Sequence, residues 1–111
     1  MKQRLYPMIV HVTRDSVCMG DDTFDNSRDI EFDDNATVGS IIPVLNGRSF
    51  FPSVSGNDVL WVIENSRKKR ILEYYTRTAG IEYRISADMP LKDVCGDKPM
   101  LHCVYYANYG K

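Results

Sequence analysis

The chain has 111 residues, 43% of them hydrophobic and 26% charged, with a formal net charge of −1, a composition that predicts one globular domain over residues 1–111 with no need of a disulfide or structural metal. Cys18, Cys95 and Cys103 are odd in number, form no C-x-x-C pair and follow no secretory signal, so they read as free thiols of a cytoplasmic protein. No apolar run is long enough to span a membrane.

Leu5 to Thr13 reads as a strand, with Tyr6, Met8, Val10 and Val12 on its core side and Ile9, His11 and Thr13 on the other. A polar stretch follows to Ser27. Arg28 to Asp33 then alternates, Ile30 and Phe32 inward against Asp29, Glu31 and Asp33 outward, the pattern of a half-buried strand. Asp34 to Thr37 supply capping residues for a short helix on Val38, Ile41, Ile42 and Leu45 that ends near Asn46-Gly47. Pro43 lacks a backbone donor and crowds the preceding turn, which predicts a short or kinked helix.

The Pro, Ser and Gly content of residues 48–57 marks an ordered loop carrying Phe50, Phe51 and Val54. Val59 to Glu64 and Arg70 to Tyr75 read as a hairpin joined around Asn65-Ser66, with Val59, Trp61 and Ile63 inward. Two more strands are expected at Ile81 to Ser86 and Met100 to Tyr106. The stretch Asp88 to Gly96 between them reads as one capped helical turn closed by glycine.

The predicted class is therefore α+β, a mixed β-sheet packed on one short helix with an extra C-terminal pair of strands. On element order the chain resembles the ubiquitin-like β-grasp superfamily over roughly Leu5 to Tyr75 plus one later strand. Two of that superfamily's activities can be checked at the residues they require. Conjugating and sulfur-carrying members end in Gly-Gly, whereas this chain ends Tyr109-Gly110-Lys111, and its ferredoxins need four clustered cysteines where three exist. What the resemblance then implies is a scaffold for binding other proteins.

Charge is unevenly distributed. From Asp15 to Asn35 eight carboxylates stand against Arg28 alone, a local charge of −7, while the rest of the chain holds 13 bases and 7 acids, or +6. Such a dipole speeds association with an oppositely charged partner and repels DNA or RNA from its acidic end. Asp15, Asp21, Asp22 and Asp25 of the loop, with Asp29, Glu31 and Asp33 of the strand face, are the candidate partner-binding residues. The expected partner is a protein with a basic surface, and exposed tyrosines on an edge strand leave room for a homodimer.

A calcium loop begun at Asp21 fails its register, with Asn26 at the sixth position where glycine is required and Phe32 at the twelfth where glutamate is required. A metal or small-ligand site on Cys18, Asp21, Asp22 and Asp25, joined by Cys95, His102 or Cys103, is the alternative reading; no cofactor is expected. A weaker alternative is nucleic acid on the basic run Arg67 to Arg70 with Tyr74, Tyr75, Arg77, Tyr83 and Arg84. No catalytic residue is assigned: His102 and Cys103 are adjacent and point to opposite faces of a strand, and no G-x-S-x-G, H-E-x-x-H or phosphate loop is present. Phe50, Phe51 and Tyr109 are the aromatics expected to reach solvent, and Trp61 the one expected to pack.

Overall fold

A computed structural model describes residues 8–15, 27–51 and 59–107. Tyr6, Val54 and Tyr109 lie outside them, as do Cys18, Asp21, Asp22 and Asp25. The fold is α+β. Strands β1 (Met8–Arg14), β2 (Ser27–Phe32), β3 (Val59–Asn65), β4 (Arg70–Tyr75), β5 (Gly80–Tyr83) and β6 (Met100–Ala107) form one sheet in the order β2-β1-β6-β3-β4-β5. Only β1 and β6 run parallel among these pairs; the other four are antiparallel. The two strands expected at the C-terminal end thus form at separate places, β5 on an edge and β6 at the centre.

One face of the sheet carries the core. Val10, Val12, Ile30, Phe32, Trp61 and Leu101 are buried there with residues of two short helices, α1 (Ile41–Gly47) and α2 (Leu91–Cys95). A single 3-10 turn, Val38–Ser40, leads into α1. Pro43 falls in the first turn of α1, where its missing N–H forfeits no ladder bond, so the helix tolerates it.

α1 ends at Gly47, where its sequence places the end, and the turn beyond it is closed by Ser49. Ser49 takes the left-handed conformation, φ 53°, its N–H donates to Asn46 O at 3.1 Å, and Phe50 N–H donates to Leu45 O at 3.0 Å. This pair of bonds is the Schellman closure, and it turns Phe50 back toward the helix it follows. Phe50 is consequently buried, with the Arg28 guanidinium 5.5 Å above its ring, and Phe51 packs 5.0 Å from Trp61 and 5.7 Å from Tyr74. The expectation that these two phenylalanines face solvent is thereby corrected: the helix closure folds them onto the core.

Strand β3 lies between β6 and β4 and buries both faces, Val59, Trp61 and Ile63 toward the helices and Leu60 and Val62 on the opposite, outer face. A bulge at Ile63/Glu64 inserts Ile71 into the β4 side, where it is fully buried. The β3–β4 turn is closed from within: Lys68 adopts φ 64°, and the buried Asn65 side chain accepts from the amides of Arg67 and Lys69.

Candidate functional site

The register sets which side chains share the outer face. Asp29 and Glu31 of β2 stand opposite His11 and Ile9 of β1, Thr13 stands opposite His102 of β6, and Leu60 and Val62 stand between Tyr106 and Val104 on one side and Tyr75 and Glu73 on the other. Because Ile30 and Phe32 are drawn into the core, the intervening acids of β2 must project to solvent. Asp29 is 68% exposed at the side chain and receives His11 Nδ1 at 2.7 Å. Glu31 is exposed beside Ile9, itself one of the few large exposed apolar residues. Asp33 is exposed immediately past the end of β2, its carbonyl accepting from Ala36 N–H at 2.9 Å. Nearby, Asp34 lies 3.7 Å from Lys92 Nζ.

Asp29 and Glu31 on the edge strand, with Asp33 just past its end, therefore form an acidic margin. Asp15 has a different setting. One of its carboxylate oxygens is 3.0 Å from His102 Nε2, and the other accepts from Tyr105 N–H at 3.1 Å. His102 Nδ1 in turn meets Thr13 Oγ1 at 2.5 Å. With a carboxylate at Nε2 the ring donates there, and in its neutral form it accepts the threonine hydroxyl at Nδ1. Hydroxyl, imidazole and carboxylate thus stand in one file that fastens the end of β1 to β6. Asp15 remains partly exposed but is already committed to this file. Asp21, Asp22 and Asp25 lie outside the described residues.

Among the described residues, no group of three or more His, Cys, Asp or Glu side chains is placed to hold a metal ion. Cys95 and Cys103 are free and buried, and burial pushes both thiols up, most strongly for Cys103. Cys103 faces the core while His102 faces outward, so the two cannot act together.

Two arrangements were not foreseen from sequence. The file of Thr13, His102 and Asp15 depends on β1 and β6 becoming parallel neighbours, and a separation of 87 residues between Asp15 and His102 leaves no local pattern to read. The second is Glu73, which is only 4% exposed although it lies on the outer face. Burial pushes its carboxyl up, but hydrogen bonds from Arg84 and Tyr75 and the charges of Arg84 and Arg70 outweigh that and hold it below its ordinary value. The same bond raises Arg84. Alternation along β4 by itself does not distinguish an exposed carboxylate from one roofed by arginines.

Among the described residues no helix is long and apolar enough to cross a membrane. No protein-family model, curated protein or solved structure matches the chain.

Proposed function

We propose that the chain is a non-enzymatic protein-binding module, a small inhibitor or adaptor, that docks a basic surface through its acidic segment. The observation that carries this is the margin of Asp29 and Glu31 on an edge strand with Asp33 just past its end, all exposed, while the alternate residues Ile30 and Phe32 anchor it to the core. Carboxylates held on a rigid strand lose less freedom on binding than the same groups on a loop, and their joint field steers a basic partner. The reading includes a reducing, cytoplasmic setting, with which the free, buried Cys95 and Cys103 are compatible. It also includes β-grasp likeness, supported by the order strand, strand, helix, strand, strand and by the parallel pairing of the first and last strands.

The test is capture of partners on immobilised wild type and on the charge-reversed D29K/E31K/D33K variant, at low and at raised salt. Salt-sensitive partners with basic surfaces should be retained by wild type and lost from the variant. Identical partner sets on both proteins would overturn the proposal. Asp15 is left unchanged in this design because its carboxylate also holds His102 and Tyr105 N–H.

A further inference from the structure

At the other end of the same outer face, a carboxylate is buried where strand alternation alone would leave it in water. Glu73 accepts from Arg84 Nη2 at 2.9 Å on each oxygen, from Arg84 Nε at 3.1 Å, from the Tyr75 hydroxyl at 3.1 Å and from Arg70 Nη1 at 3.3 Å. Both oxygens are taken, so Glu73 has no capacity left for a ligand. What it does is hold two guanidinium groups in place. Arg70 and Arg84 stay about half-exposed, 51% and 50% at the side chain, and the bonds to Glu73 leave Arg84 Nη1 and Arg70 Nε and Nη2 for another acceptor.

Beside these donors an open groove of about 450 Å³ runs over the sheet. Leu60 and Val62, both buried, lie at its base, and Tyr106, 44% exposed, forms an aromatic wall. That volume lies within the range of small-molecule sites, and the groove is open, with a lining more polar than apolar. The donors are guanidiniums, whose planar fork matches a carboxylate or phosphate. Their positions are set before any ligand arrives, which lowers the ordering penalty of binding.

We infer that the groove binds a small organic anion, its carboxylate or phosphate taking the remaining N–H groups of Arg70 and Arg84 and its flat apolar body packing against Tyr106. Glu82 at the rim, 62% exposed and 3.8 Å from Arg84 Nη2, opposes an anion there and weakens the site. The affinity therefore comes from directed N–H donors plus apolar contact, and neither half of the ligand suffices alone.

The experiment is an amide-resolved NMR titration with phenyl phosphate and with benzoate, alongside inorganic phosphate as the anion without a body and benzyl alcohol as the body without an anion. Saturable shifts are expected at β3, β4 and β6 for both organic anions, at a Kd of roughly 0.1–1 mM, with each half-ligand about tenfold weaker or more. The tighter of the two organic anions identifies the preferred head group. Y106A and R70Q, both at half-exposed positions, should each weaken binding by about tenfold, and E82Q should strengthen it about threefold. No saturable shift for either organic anion up to about 10 mM overturns the inference. So does equal affinity in wild type and in folded Y106A and R70Q, or inorganic phosphate binding as tightly as phenyl phosphate. The D29K/E31K/D33K protein should bind the probes unchanged, which separates this site from the acidic margin.

Discussion

Asn65 is the residue whose removal should most directly show how the β3–β4 turn is held. Its side chain is buried; Nδ2 donates to Val94 O at 2.9 Å, and Oδ1 accepts from the amides of Arg67 at 2.9 Å and Lys69 at 3.1 Å. One amide group thus closes the turn and ties it to α2. In Asn65→Ala the buried Val94 carbonyl is stranded, which costs about 1–3 kcal/mol, while the two turn amides, on exposed residues, find water and cost less than about 1 kcal/mol each. The sum is about 2–4 kcal/mol, a large part of the ~5–15 kcal/mol of a typical domain. Urea unfolding followed by Trp61 fluorescence measures it, since Trp61 is the single tryptophan and is buried 5.0 Å from Phe51 and 5.3 Å from Tyr105. Asn65→Asp keeps the oxygen that accepts both turn amides but loses the donor to Val94, so it should remain destabilised while the amides of Arg67 and Lys69 stay protected from hydrogen exchange. In Asn65→Ala those two amides should exchange rapidly. A loss below about 0.5 kcal/mol in the alanine variant, or undiminished amide protection there, would refute the reasoning.

Glu73 makes stability pH-dependent with a definite sign: its folded pKa lies below the ordinary 4.5, so its contribution is complete above that value and is lost as pH falls through it toward the folded pKa. The urea midpoint of wild type should therefore drop more steeply than that of Glu73→Gln between about pH 5.5 and 3, and parallel profiles would contradict this. Cys95 and Cys103 should resist iodoacetamide in the native state at pH 8 and react on unfolding, because burial both shields them and disfavours their thiolates; rapid native labelling of Cys103, read by mass spectrometry, would show that the core opens there. Sedimentation at low salt should find a monomer, and a stable dimer insensitive to charge reversal on β2 would count against the edge acting as described.

How far the sequence is legible varies with the physical cause. Strand β2 was readable because one face is wet and the other dry, so Ile30 and Phe32 alternate with acids. In β3 five consecutive residues from Val59 are buried, and an unbroken apolar run identifies a strand without saying which side carries the core. The position of β6 was not readable at all, since parallel pairing with β1 is set by packing between segments far apart in the chain. Phe50 and Phe51 were misplaced because the loop composition is real but Ser49, a residue with no strong left-handed preference, closes the helix in glycine's stead. Of the candidate site, the exposure of Asp29, Glu31 and Asp33 followed from alternation, whereas the engagement of Asp15 by His102 required the tertiary neighbour.

The acidic margin also bears on what can pair with this sheet. Strand β2 closes one edge of the sheet, six residues long, and β5 closes the other with four. An exposed edge is a template for another strand unless charge or brevity blunts it. Two copies meeting antiparallel through β2 about Ile30 would set Asp29 of each opposite Glu31 of the other on one face, where like charges destabilise the pair. A strand carrying lysine or arginine at the same spacing would instead meet opposite charges at Asp29 and Glu31 while its alternate residues lay beside Ile30 and Phe32. Under the proposed docking role, the same carboxylates that disfavour self-association through β2 would select a basic partner.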